Sequence, residues 1–421
     1  MAMAEHEIEV VVQLAGDDVI AGRLWSHRRR NTESQTFAYN EDYVARPAAY
    51  ALDPALPLGT GQQQTPLGRA IFGGFSDCAP DRWGRRLIIR AEQARAREEG
   101  GVPRSSGEAD LLLGVRDDLR QGALRFRTPG TKTFLADEQH GVPHLVDLPK
   151  LLSAVDHLER DEATAAELRL LLRGGSSLGG ARPKAHVIDE AGRIAIAKFP
   201  SASADEWDVM RWEYVALYLA HAAGISVPKT KLHVIDGKSV LVIDRFDRDG
   251  DRRIGYVSAM TMLEAADGDD GRSYLEIAAI IEDESLQASV ELRELWRRIA
   301  FSILISNFDD HLRNHGFLRT SSAGWSLSPA FDLNPDPEGA RQLATAIDYE
   351  DHEARIDTLM GVAGEFRLTE REALAVLAEV VAATSAWRTV AARAGLGAAA
   401  LTQMSPAFEH DQATRARQLG V

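Results

Sequence analysis

Between residues 176 and 248 the chain runs through a glycine-containing loop, a short strand, a helix and a hairpin without a break, and this order restricts the fold more than any other feature. Helical periodicity from Ala165 to Leu172 stops at Gly174-Gly175 and leads into Ser176-Ser177-Leu178-Gly179-Gly180-Ala181-Arg182-Pro183-Lys184. A strand over 193–199 follows, then a helix from about Asp205 to Ala223 that ends at Gly224. Runs over 229–235 and 239–244 flank Asp236-Gly237, a pair that marks a hairpin when it stands between alternating apolar segments. These pieces predict one small sheet-plus-helix lobe. Beyond it the pattern is helical over 275–306 and again over roughly 350–418, with an interruption at 307–336. The expectation is an α+β chain of two lobes, the second mostly helical.

Chemistry concentrates in that interruption. Asp309 and Asn314 stand five apart in Phe308-Asp309-Asp310-His311-Leu312-Arg313-Asn314, directly after an apolar helix. The spacing is that of a kinase catalytic loop, where an aspartate accepts the proton of the acceptor hydroxyl and an asparagine gives an oxygen to Mg²⁺. Alone it is a weak match, since a solvated helix-to-strand loop produces such spacings by chance. Only five asparagines occur in the chain, however, and Asn307, Asn314 and Asn334 all fall in this interval. Gly316-Phe317-Leu318 and 325–327 then read as a hairpin-like pair delivering Phe331-Asp332-Leu333, which puts a second carboxylate where a hard cation wants one.

Two charged residues sit where apolar ones are expected. Lys198 ends the strand on the face of Ile194 and Ile196 by period-two alternation. Glu213 lies among Val209, Ala216, Leu217 and Ala220 on one helical stripe. The bland reading lets the lysine carry its ammonium out to solvent. An ion pair between Lys198 and Glu213 satisfies both and leaves the ammonium able to hold nucleotide phosphates. The glycine loop lacks the Walker A order, and a bare Gly-Gly is most often a flexible joint, but its place just before the lysine-bearing strand lets its amides approach phosphate oxygens.

Composition narrows the partners. A net charge of −15 disfavours a broad phosphate-binding surface, so direct binding to nucleic acid is not expected. Cys78 is the only cysteine, which rules out an intramolecular disulfide and a multi-thiolate metal site and fits a reducing compartment. No run approaches the ~18 apolar residues of a spanning helix, and the first ten residues lack a basic-then-apolar leader, so the reading is cytoplasmic with no membrane partner. At 421 residues the chain should hold two or three packed units. Strand-length apolar patterns over 7–14, 18–25 and 36–44 predict an N-terminal sheet, followed by a helix over 80–97.

Taken together, these segments resemble the HipA family, kinase toxins of bacterial toxin–antitoxin pairs. Ser177 to Lys184 resembles that family's phosphate loop, Leu241-Val242-Ile243-Asp244-Arg245-Phe246-Asp247-Arg248 its interlobe strand and hinge, Asp309 to Asn314 its catalytic loop and Phe331-Asp332 its metal-binding step. Phe75-Ser76-Asp77-Cys78-Ala79-Pro80-Asp81 resembles part of its N-terminal subdomain, so nearly the whole chain is covered. The resemblance implies a two-lobed, protein-kinase-like fold with an N-terminal HipA-type subdomain over 1–150, a kinase N-lobe over 151–248 and a helical C-lobe over 249–421. It implies ATP and Mg²⁺ as cofactors, Asp309 as base, Asn314 and Asp332 on the metal, and Lys198 on phosphates. Nucleotide contacts are expected from Gly179, Gly180, Ala181, Arg182, Pro183, Lys184, His311, Arg313 and Phe331, and from the backbone of Asp244, Arg245 and Phe246. Ser177, or its neighbour Ser176, matches the serine such kinases phosphorylate on themselves. Implied partners are a HipB-like helix-turn-helix antitoxin, DNA only through that antitoxin, and a protein substrate such as an aminoacyl-tRNA synthetase. Asp244 stands where glutamate is commoner, and Arg182-Pro183 where a more polar pair is usual.

Three other readings compete. A metal-dependent hydrolase would use Asp309, Asp310, His311 and His315, with the two histidines four apart. A non-catalytic kinase-fold regulator would not need Asp309, Asn314, Asp332 and Lys198 together. A small-molecule phosphotransferase would share all four.

Overall fold

The computed structural model describes residues 6–29, 32–103, 106–135, 141–175, 180, 182–269, 271–349 and 351–419. Four antiparallel sheets form among the described residues, and the two largest precede a helical region. The first has the order β4-β3-β2-β1-β5, built from β1 (His6–Leu14), β2 (Asp17–Arg29), β3 (Thr32–Tyr39), β4 (Gln62–Gln64) and β5 (Leu124–Arg127). The apolar run expected to stay extended through residue 44 leaves the sheet at Tyr39. Asn40 accepts a hydrogen bond from Asp42 N–H (2.8 Å) and caps a short helix, Glu41–Val44, which buries Tyr43 instead of continuing the ladder.

The second sheet carries the site. Its order is β6-β7-β9-β8, from β6 (Lys184–Ile188), β7 (Ile194–Lys198), β8 (Thr230–Ile235) and β9 (Lys238–Asp244). The β8–β9 hairpin turns on Asp236 (φ 50°) and Gly237 (φ 79°), with Ile235 opposite Lys238. Two positive φ values in a two-residue loop match the right-handed twist of the strands. Along β7, Ala195 and Ala197 are buried, whereas Ile194, Ile196 and Lys198 are half-buried on the other face.

The helix after β7 spans Val209–Ala222, four residues later than expected. Asp208 caps it through Arg211 N–H (3.1 Å), while Asp205 is drawn outward: it accepts from Ser201 N–H (2.9 Å) and pairs with Arg182. Helices Tyr274–Glu284 and Ala288–Ile305 divide the stretch read as 275–306, and further helices follow from Ile356 to Leu419. Among the described residues no single helix is long and apolar enough to cross a membrane.

Two apolar cores hold these parts together, and neither respects the expected boundary at residue 150. One runs from Val10, Leu24 and Phe37 of the first sheet to Trp296, Phe301 and Val380 of the helical region. The other sets Trp83 and Leu87 against Leu151, Val155 and Leu171 and against the buried face of the second sheet. A cut at 150 falls in the first turn of the helix Leu148–Glu159, whose apolar stripe belongs to the small lobe's core.

Candidate functional site

Lys198 is the centre of the arrangement. Its Nζ donates to Glu213 Oε1 (2.5 Å) from the helix Val209–Ala222 and to Asp332 Oδ1 (2.8 Å) from the segment after the catalytic loop. The pairing predicted from two misplaced charges is therefore present, and it extends to a third residue. Glu213 is almost wholly buried, and burial pushes its carboxyl up while the ammonium pulls it down. Burial opposes the charge on Lys198 too, but the two carboxylates hold its ammonium protonated, well above the usual lysine range. Asp332 is kept well below the usual carboxylate range: burial alone would raise it, and Lys198 more than offsets that. Its backbone lies in the left-handed region (φ 58°), a conformation that costs about 1–3 kcal/mol and clusters at sites that depend on it.

The loop that follows the helix Ala288–Ile305 brings the remaining groups. Ser306 ends that helix in the left-handed region (φ 56°), turning the chain toward Asp309. Asp309 is exposed at the cleft, and Asn314 Nδ2 donates to its carbonyl (3.0 Å), leaving Asn314 Oδ1 directed away from that bond. His311 N–H also donates to the Asp309 carbonyl (3.0 Å). Asp310, the adjacent carboxylate, turns the other way. It is buried, accepts from Tyr274 Oη (2.6 Å) and lies 3.2 Å from His315 Nε2, while Thr345 Oγ1 donates to its carbonyl (2.7 Å). Asp310 and His315 thus brace the loop from beneath. Among the described residues no group of three or more His, Cys, Asp or Glu side chains is placed to hold a metal, so the hydrolase arrangement of Asp309, Asp310, His311 and His315 does not form.

A hard cation fits differently. Asn334 Nδ2 donates to Asp332 Oδ1 (3.2 Å), and Asn334 Oδ1 is buried without a hydrogen-bond partner among the described residues, as is His311 Nδ1. An orphaned amide oxygen beside the Asp332 carboxylate makes a pair of oxygen donors of the kind Mg²⁺ takes.

Next to Lys198 on the sheet, Lys184 is its cross-strand partner, so both stand on one face. Lys184 pairs with Asp81 (2.8 Å), the cap of the helix Arg82–Glu98. Sequence reading placed Asp81 only in an N-terminal motif. Gly180 is in the left-handed region (φ 117°), and Pro183 O accepts from Phe199 N–H (2.9 Å). Ser176, Ser177, Gly179 and Ala181 lie outside the described residues. At the hinge, Phe246 packs on Phe331 (ring centroids 5.6 Å apart) and Asp244 lies beside Arg193 (3.4 Å). The Arg245 side chain is turned from the cleft into a buried network, donating to Asp247 and to the carbonyls of Leu119 and Arg120. Arg313 is held by Asp267, with Nη2 2.9 Å from Oδ2. The structure therefore gathers Lys184, Lys198, Glu213 and Asp332 into one cluster beside the loop of Asp309 to Asn314, and it commits the side chains of Arg245 and Arg313 elsewhere.

A small sheet lobe, a hinge and a helical lobe with these residues between them define a two-lobed, protein-kinase-like α+β fold. Residues 176–387, half of the chain, match the model of the HipA-like C-terminal domain, and the chain belongs to that family. The HipA of Shewanella oneidensis, solved as a complex of HipA, HipB and operator DNA, superposes with a TM-score of 0.69 over 98% of this chain and 99% of that one at 16% identity. A Haemophilus influenzae protein provisionally named a kinase is 29% identical over 143 residues, and the serine/threonine-protein kinase CtkA of Helicobacter pylori is 29% identical over 123 residues. These matches cover 30% and 28% of this chain, and they span only 42% and 38% of the relatives' own lengths.

Proposed function

We propose that this chain is an ATP- and Mg²⁺-dependent serine/threonine protein kinase and the toxin of a toxin–antitoxin pair. The observation that carries the reading is Lys198 bridging Glu213 and Asp332 beside a loop that presents Asp309 and Asn314. Mg²⁺ held by Asp332 and Asn314 would neutralise charge on the phosphate oxygens during transfer. Glu213 orients Lys198, whose ammonium turns from Asp332 toward the α- and β-phosphates. Asp309, exposed at the cleft, accepts the proton of the acceptor hydroxyl. Phe246 and Phe331 offer an aromatic wall near the hinge backbone of Asp244 to Phe246, where adenine would lie.

The substrate is read as a protein of the translation apparatus, such as an aminoacyl-tRNA synthetase, and the restraining partner as a HipB-like antitoxin that alone contacts DNA. Family membership and the full-length superposition on a HipA support this assignment. Self-phosphorylation at Ser177, or Ser176, would switch the enzyme off. A phosphate there adds roughly −1.5 to −2 charges at pH 7 and competes with ATP for Lys184 or Lys198.

Labelled ATP incubated with the purified chain and a cell lysate tests the reading. A labelled protein band that disappears with Asp309→Asn, while ATP binding persists, is expected. Label in small molecules alone would turn the assignment to a metabolite kinase, and no transfer at all would leave a non-catalytic regulator. Mass spectrometry of the same preparations should find phosphate on Ser177 or Ser176 in the active protein and none in Asp309→Asn.

A further inference from the structure

The N-terminal unit reaches the nucleotide cleft through one carboxylate. Asp81 Oδ2 lies 2.8 Å from Lys184 Nζ, and the two side chains are only 4% and 6% exposed. A buried ammonium requires such a partner, because desolvation disfavours the lone charge. Asp81 is itself held in place: its Oδ1 accepts from Gly84 N–H (2.7 Å) as the cap of the helix Arg82–Glu98. The same helical turn grips Lys184 a second time, since Trp83 Nε1 donates to the Lys184 carbonyl (3.0 Å). On its other side the ammonium lies close to Gly180, where an added Cβ would stand 3.0 Å from Lys184 Nζ. Lys184 in turn stands opposite Lys198 across the β6–β7 ladder.

We propose that Asp81 is a positioning residue of the nucleotide site, which fixes the Lys184 ammonium beneath Gly180 and thereby couples phosphate binding to the seating of the helix Arg82–Glu98. The proposal rests on the kinase reading above. It adds a residue that lies outside the matched domain, 103 positions from its partner. Since coupling is reciprocal, a partner that shifts the first turn of this helix changes ATP affinity, and bound ATP stiffens that turn.

The test uses the full chain in an Asp309→Asn background, so that ATP–Mg²⁺ binding is measured by calorimetry without turnover. Asp81→Asn and Asp81→Ser both keep a helix-capping side chain while deleting the carboxylate. Each is expected to weaken ATP binding on the order of tenfold, as is Lys184→Met. The double variant Asp81→Asn/Lys184→Met should bind no more weakly than Lys184→Met alone, and Asp81→Glu should recover part of the loss. With Asp309 restored, the Asp81 variants should raise the KM for ATP more than they lower kcat. Asp81 variants that melt earlier yet bind ATP like the parent would overturn the proposal, as would additive losses in the double variant. A parent chain that binds no nucleotide overturns the kinase reading and this proposal together; a parent that binds, with Asp81 variants equal to it, overturns this proposal alone.

Discussion

At Asp309, exposed at the surface of the cleft but with protein crowding out part of the water around its carboxyl, this desolvation raises the pKa first of all, and Asp332 and Asp310 raise it further, while His311 and Arg182 pull it down. The net direction is upward, so a base that must be deprotonated to accept a proton loses activity as the pH falls through a value above that of an ordinary aspartate. The kcat/KM profile, which reports the free enzyme, should therefore show an acid limb inflecting above the ordinary aspartate pKa, and an inflection at or below it would remove Asp309 from the proton transfer. Lys198 and Glu213 form a second residue-scale test. Either alanine substitution breaks the same buried pair, so Lys198→Ala and Glu213→Ala should be non-additive in kcat/KM, with a coupling of about 1–3 kcal/mol. Independent effects would make Glu213 an ordinary helix residue. This pair was readable from sequence because each charge interrupts an apolar pattern that is itself local. For the third member, Asp332, the sequence raises the expectation of a metal ligand, but its bond to Lys198 was not legible, since the two lie 134 positions apart.

The catalytic loop is an element that its neighbours hold in shape. Tyr274 Oη on Asp310, Thr345 Oγ1 on the Asp310 carbonyl and His315 beside the carboxylate fix the stretch that presents Asp309 and Asn314. Removing the hydroxyl with Tyr274→Phe leaves a buried carboxylate short of a donor, which costs about 1–3 kcal/mol. A lower melting temperature and a lower kcat with ATP affinity unchanged are expected; unchanged kcat would mean that the loop keeps its shape without this brace. Elements whose signals are local were legible. Asp236-Gly237 demands positive φ wherever it occurs in a two-residue loop, and the hairpin stands where it was expected. The start of the small lobe's helix, Val209–Ala222, was misplaced because Asp205 and Asp208 are both capping residues, and only the tertiary partners Arg182 and Ser201 decide between them. Asp81 carried no signal beyond its place in the motif Phe75 to Asp81, because pairing with Lys184 is a property of the packed molecule.

Over the whole molecule, the matched domain begins at residue 176, yet the small lobe's core is completed by side chains before it. Trp83, Leu87, Leu151, Leu152, Val155, Leu158, Leu168 and Leu171 are all buried against the face that carries Ala195, Ala197, Phe199 and Val242. Each such side chain contributes about 1.5–3 kcal/mol on burial, so losing these eight removes on the order of 12–24 kcal/mol, as much as or more than the roughly 5–15 kcal/mol by which a folded domain is stable. The hinge loses partners as well. Arg245 would surrender the carbonyls of Leu119 and Arg120, and Asp247 the Gly122 N–H that donates to it (2.8 Å). Burial would raise the Asp247 carboxyl, but Arg245 and Arg248 hold it below the usual range, a contribution present above the unfolded pKa and lost as the pH falls through the folded one. A fragment of residues 176–421 is therefore expected to lack a cooperative unfolding transition by calorimetry and to bind no ATP, although it contains Lys184, Lys198, Asp309, Asn314 and Asp332. Supplying residues 1–175 as a separate chain should restore both, because the missing face is apolar and specific in shape. A sharp transition and ATP binding by the fragment alone would show that the second core is dispensable and that the N-terminal unit is an appendage.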